Sequence, residues 1–186
     1  MQPLEVVIPG APQAQERGRI RRFGRPCVSC KQPRHSGIYD PPKSAAWKKH
    51  AAAHMLVSRK RAGLPVFDGA PLKLEVLAVF PCPKASHRVH KPAEREWKTV
   101  KNGDASNVLK AIEDAGNNGV LWTDDSLVAW PTIRCITAAQ GEEPAVYLRV
   151  SVLDVDDVPT SFAARPEVSH SPHQPLGAGR VAGSKA

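Results

Sequence analysis

Hydrophobic and polar positions change period several times along this chain of 186 residues, and each change marks an element. Leu4-Glu5-Val6-Val7-Ile8 reads as a strand that Pro9-Gly10 stops. Ser44 predicts the N-cap of a helix from Ala45 to about Arg61. Trp47, Ala51, Met55 and Leu56 fall near one face of it, and Lys48, Lys49, Arg59, Lys60 and Arg61 supply the polar remainder. Leu72 to Phe80 alternates at first and then turns wholly apolar, as a strand does when it passes from partly exposed to buried. Val108, Leu109, Ile112 and Ala115 form an apolar stripe at helical spacing, predicting a helix from Ser106 to Gly116. Asn117-Asn118-Gly119 is a turn signal, and Val120-Leu121-Trp122 reads as the start of a strand. Asp125 to Ala138 continues as extended chain, interrupted at Pro131. Val146, Leu148, Val150 and Val152 mark one face of a last strand, Ala145 to Leu153. The turn at Gly141-Glu142-Glu143-Pro144 makes it a hairpin with its predecessor.

Between these segments the pattern disappears. Residues 11–43 hold Pro, Gly, Arg and Ser without a period and read as a long basic loop. Residues 84–102 are a second irregular basic stretch. From about residue 155, Pro, Ser, Ala, Gly and His dominate with few large apolar side chains. We therefore expect one domain over residues 1–154 and a disordered tail over 155–186.

Charge then narrows the partner. The formal net charge is +8 and the pI about 9.6, which favours a polyanion, nucleic acid before membrane. Glu16 to Arg61 carries thirteen Lys and Arg against two acids. Arg17, Arg19, Arg21, Arg22 and Arg25 suit phosphate contacts, which give affinity without sequence information; a loose basic arm is the plainer reading. Neither a signal peptide nor a membrane span is apparent, so a cytoplasmic protein with no membrane partner is expected. Cys27, Cys30, Cys82 and Cys135 should then be reduced thiols. Cys27-Val28-Ser29-Cys30, with His35 behind it, has zinc-like spacing but lacks the usual second pair. Trp47, Trp97, Trp122 and Trp130 read as packing residues rather than base-stacking ones.

Against this basic background, Gly103 to Asp125 stands out. An acid opens a helix that carries Lys110, a tight turn follows, and Asp124-Asp125 closes the unit. Folding can bring Asp104 near Asp125, and close carboxylates repel unless a positive charge lies between them. Hard oxygen donors suit Mg²⁺ or Mn²⁺. Singly, Asp104 also reads as a helix N-cap and Asp124-Asp125 as a solvated turn. Lys110 could stabilise a phosphorane or pair with Asp114 four residues on. Divalent ions held by carboxylates both activate water and neutralise phosphate charge, which is the chemistry of phosphodiester hydrolysis. The chain has no P-loop, no Gly-x-Ser-x-Gly and no His-Glu-x-x-His, and no small-molecule cofactor is expected.

The same stretch resembles the RusA family of Holliday-junction resolvases, common in phages and prophages. The family's pattern is Asp-x-Asp-Asn, two residues, Lys, an Asp four residues on, then an aromatic and paired Asp-Asp. Asp104, Asn107, Lys110, Asp114, Trp122 and Asp124-Asp125 match it without a gap. Ser106 departs, standing where the family has its second acid. Ile8-Pro9-Gly10-Ala11-Pro12, the Arg-rich run, Tyr39-Asp40-Pro41 and Trp47 extend the likeness to roughly residues 3–153.

The resemblance implies an α/β fold, a small mixed β-sheet with helices packed on one face, assembled as a homodimer with two metal sites. It implies a Mg²⁺-dependent (or Mn²⁺-dependent) endodeoxyribonuclease that cuts branched DNA. Asp104, Lys110 and Asp125 would be catalytic, with Asp104, Asp124 and Asp125 as metal ligands. Ser106, Asn107 and Asp114 would stand behind them, and Arg17, Arg19, Arg21 and Arg22 would contact DNA. Two other readings stay open. One is a weakened or inactive branched-DNA-binding protein of this fold, because Ser106 is a poorer ligand than a carboxylate. The other is a zinc-bearing nucleic-acid adaptor built on Cys27 and Cys30.

Overall fold

A computed structural model describes residues 2–31, 33–87, 90–98 and 104–154, with the backbone alone for 21–26 and 33–36. Chain contacts delimit a first compact unit, Met1–Asp154. The tail expected over 155–186 lies outside the described residues.

The elements run β1 (Leu4–Pro9), β2 (Arg19–Pro26), β3 (Pro33–Tyr39), α1 (Pro42–Arg61), β4 (Leu72–Phe80), β5 (Glu96–Trp97), α2 (Ala105–Gly116), β6 (Val128–Thr137) and β7 (Ala145–Val152). Five strands form a mixed sheet in the order β1-β7-β4-β6-β5. β4 is its hub, antiparallel to β7 and parallel to β6. A parallel pair requires a crossover, and α2 lies in the one that links them. Leu4, Val6 and Ile8 of β1, Leu72, Leu74 and Val76 of β4, and Val146, Leu148 and Val150 of β7 are all buried. They share one core with Ala51 and Met55 of α1 and with Val108 and Ile112 of α2. The fold is thus α/β, a mixed sheet with two helices packed on it.

Several expectations need correction. Residues 11–43 are not a continuous loop: β2 and β3 form a two-stranded antiparallel ribbon. Alternation is written into a strand by burial of one face, and Ile20 and Ile38, opposite each other in register, are instead 67% and 81% exposed. α1 starts at Pro42 after Pro41, and Ser44 does not cap it. Ser44 is buried instead, and its hydroxyl donates to Gln15 Oε1 at 3.2 Å. Arg59, read as part of the polar face, is also buried.

Val120–Trp122 is not a strand. Leu121 and Trp122 donate their amides to the Gly116 carbonyl, and Trp122 makes only an isolated bridge with Phe67. Pro131 does not interrupt β6. On its second side, among the described residues, β6 pairs with β5 only at Ile136 and Thr137, so a missing N–H at Pro131 disturbs none of that pairing. β7 is not the hairpin partner of β6; it inserts between β1 and β4, where its apolar face is covered. Trp47 packs partly buried against the core and Trp122 is fully buried, whereas Trp97 is exposed.

Candidate active site

Asp104 is the N-cap of α2. Its Oδ1 accepts the Ser106 amide at 3.2 Å, and its Oδ2 accepts Asn107 Nδ2 at 3.4 Å. The first turn of a helix leaves amides unpaired, and a carboxylate there satisfies them and favours the dipole. Ser106, Lys110 and Asp114 follow at intervals of four and so lie on one helix face. That face is opposite the apolar stripe, which is why it stays accessible.

Past the turn, the fully buried Trp122 anchors the chain that carries the acidic pair. Asp124 caps a 3₁₀ turn, Asp125–Leu127, accepting the Ser126 amide at 2.9 Å. Hydrogen bonds from Ser126 hold the Asp124 carboxyl below its ordinary range. Asp125 therefore opens a turn, and the extended chain expected from Asp125 onward begins at Val128.

Lys110 joins the two halves. Its Nζ donates to Asp125 Oδ2 at 2.5 Å and lies 3.2 Å from Asp114 Oδ1. The hydrogen bond to Asp125 leads in raising its pKa, with burial opposing and Asp114 assisting. Lys110 is thus a firmly held cation at neutral pH. Cys135 of β6 lies beside this region: burial pushes its thiol up, the charge of Lys98 opposes, and that of Asp104 adds to the rise.

The spacing of Asp104, Lys110 and Asp125 pointed to a shared site, and the Lys110–Asp125 contact joins two of them. Asp124 and Asp104 have local capping roles as well. Among the described residues, no three His, Cys, Asp or Glu side chains are grouped to hold a metal ion. The donor chemistry nonetheless fits a hard divalent cation. Asp104 and Asp125 offer carboxylate oxygens, each with more than one lone pair. Cys27 and Cys30 stand at the tip of the β2–β3 ribbon, with no third ligand grouped with them among the described residues, and the side chain of His35 lies outside these. Arg17 and Arg19 are exposed, Arg19 pairing with Glu16 at 3.6 Å; the side chains of Arg21 and Arg22 lie outside the described residues.

Residues that sequence reasoning did not select surround the site. Lys48 of α1 contacts both Asp40 and Asp114. Gln15 donates its backbone amide to the Asn107 carbonyl at 2.8 Å and its Nε2 to Asp40 Oδ1 at 3.4 Å. Glu113 is half-buried next to Lys110, and that burial pushes its carboxyl up. One signal was available: Asp40 is one of only two acids between Glu16 and Arg61, and an isolated acid in a basic run implies a specific partner.

The family model of Endodeoxyribonuclease RusA matches residues 9–151, well over half of the chain and the whole of the site. No curated protein matches the chain. The chain belongs to the RusA family of endodeoxyribonucleases. Its reaction class is cleavage of phosphodiester bonds within a DNA strand. No helix among the described residues is long and apolar enough to cross a membrane.

Proposed function

We propose that the protein is a divalent-metal-dependent endodeoxyribonuclease that resolves Holliday junctions or other branched DNA as a homodimer. The observation that carries this reading is the Lys110–Asp125 contact at 2.5 Å, joining the helix that Asp104 opens to the acidic turn of a RusA-family chain. Asp104 and Asp125, with Asp124 beside them, would hold a Mg²⁺ or Mn²⁺ ion, which supplies an activated water and charge neutralisation at the phosphate.

The chain's own residues do the rest. Lys110 keeps its proton at neutral pH and offers a positive charge to the phosphate oxygens as charge builds on them. Asp114 steadies Lys110 from one turn further along α2. The caps at Asp104 and Asp124 hold the backbone of the acidic segments in fixed conformations, so both carboxylates are preorganised. The arginines of β2 and its approach bind backbone phosphates and orient the duplex arms. Two copies would set one site against each of two strands, as paired cuts require.

Ser106 motivates a second reading, a weakened or silent enzyme that still binds branched DNA. Only Asp104 of the family's first acidic pair is present, and the described residues assemble no three-ligand group. One experiment separates the two. The protein is incubated with a synthetic four-way junction and with a matched linear duplex, in Mg²⁺, in Mn²⁺ and in EDTA. Junction-selective cuts that need the ion support the enzyme; tight junction binding without cleavage in either ion supports the silent relative.

A further inference from the structure

Beneath the exposed site runs a line of alternating charges. Asp125, Lys110, Asp114, Lys48 and Asp40 are linked in that order by four ion pairs. Asp114 is the pivot: its Oδ1 faces Lys110 Nζ and its Oδ2 accepts Lys48 Nζ, each at 3.2 Å. Lys48 is the most enclosed cation of the line, with 17% of its side chain exposed against 49% for Lys110. Burial acts to lower its pKa, but the hydrogen bonds it donates to Asp40 and Asp114 outweigh that and raise it, so Lys48 stays charged.

An exposed i,i+4 pair alone holds its partners weakly. Lys110 would therefore be loosely set if Asp114 were free to turn. Lys48 removes that freedom from the far side, anchored on α1 and braced by Asp40 just beyond β3. Asp40 is itself met by Gln15, whose amide bonds α2 at Asn107. We propose that Lys48 is a positioning residue of the nuclease site: by fixing Asp114 it sets the Lys110 ammonium against Asp125. This rests on the nuclease reading for its consequence in catalysis, but the contact it asserts does not.

Without Lys48, both Asp114 oxygens compete with Asp125 for Lys110, and the ammonium is drawn along α2 away from the acidic turn. The test compares Lys48→Met, Lys48→Gln, Lys48→Arg, Asp114→Asn and the Lys48→Met/Asp114→Asn double variant of the full chain. Three quantities are read: junction affinity in EDTA, single-turnover cleavage at saturating protein, and the NMR resonance of the Lys110 ε-methylene. Lys48→Met should slow cleavage by about 10-fold to 100-fold, the scale of an ångström-sized misplacement, with junction affinity little changed. Lys48→Arg should recover most of the rate, a rescue that loss of packing alone would not give. The double variant should be no slower than the slower single, since both break one linkage.

The Lys110 resonance should move in Lys48→Met and in Asp114→Asn, with no further movement in the double variant. If Lys48→Met does not fold, Lys48→Gln, which keeps a polar group against Asp40, carries the same expectation. An unmoved Lys110 resonance in the folded variant overturns the proposal whatever the cleavage result. Equal slowing by Met and Arg overturns it as well. Absence of cleavage by the unaltered protein would instead defeat the nuclease reading, and the resonance would still decide whether Lys48 sets Lys110.

Discussion

Gly116 lies against the indole of Trp122 so closely that a β-carbon on it would stand 2.5 Å from Cζ2 and 2.7 Å from Cη2. The ring is fully buried and cannot swing aside as a surface side chain would. The Gly116 carbonyl also accepts the amides of Leu121 and Trp122, at 2.8 and 3.2 Å. Helix end, turn and ring form one packed unit, two residues before the acidic pair. Gly116→Ala should gain a little helix propensity but lose more to overpacking, for a net destabilisation of about 1–3 kcal/mol. Urea unfolding measures it; a midpoint equal to or above that of the unaltered protein would contradict the packing.

Glu113 supplies a pH-dependent prediction. Its carboxyl is raised by burial first, with Lys110 opposing and Asp125 and Asp114 adding to the rise. The folded state then holds the proton more tightly than the unfolded chain does. Stability therefore falls as pH rises from the unfolded value, about 4.3, through the raised folded one. Above that window the ionised carboxylate costs stability in full. Glu113→Gln should be more stable than the unaltered protein at neutral pH, and the gain should vanish below about pH 4, where the carboxyl is protonated in both states. Thermal melting of both proteins across that range checks it; a variant less stable at neutral pH refutes it.

Some of this architecture was legible in the sequence, and the reasons differ by element. β4 was read at its observed ends, because its shift from alternation to a continuous apolar run mirrors its burial. α2 was read from its stripe and from an acid placed to cap it. The β2–β3 ribbon was not, because Ile20 and Ile38, apolar residues paired across it, are exposed and so mark no buried face. The neighbours of β7 were misread because local turn signals say nothing about a strand inserting between two distant ones. In the site, Asp104, Lys110 and Asp125 lie within one short stretch, so spacing alone suggested the group. Lys48 looked like one of several solvated cations on α1, and only the packing of α1 on α2 makes it the partner of Asp114.

Replacing single acids tests the site. Asp104→Asn should slow junction cleavage by about 100-fold or more, as loss of one preorganised charged group does. Asn is as good an N-cap as Asp, so α2 should remain intact. Asp125→Asn should act alike, since the ion pair it removes is partly exposed and contributes little to folding. Binding to the junction should survive in both. Cleavage at the unaltered rate in either variant would take that carboxylate out of the catalytic set.

The basic ribbon should behave differently. Arg19→Ala, Arg21→Ala and Arg22→Ala combined should weaken binding to junction and duplex alike. The slope of log affinity against log salt should flatten by up to about 0.9 for each phosphate that is no longer neutralised. Asp104→Asn, by contrast, should leave that slope in place. Equal affinity and slope in the triple variant would remove the ribbon from the DNA interface.

Ser106 decides between an impaired site and an adapted one. It is exposed, second in α2, and four residues before Lys110, so a carboxylate there would project beside Lys110 and near Asp104. The backbone should accept it, because an acid in the first helical turn is favoured by roughly 0.3–1 kcal/mol. A second negative charge near Asp104 raises repulsion in the free protein, and a bound divalent ion would offset that repulsion, so ion affinity should rise. Ser106→Asp should then lower the Mg²⁺ concentration for half-maximal cleavage. If Asp124 has already taken over the role, the added charge would instead draw Lys110 away from Asp125 and slow the reaction. A Mg²⁺ titration of both proteins on one junction reads the difference. An unchanged or higher requirement in Ser106→Asp would mean that Ser106 is no defect.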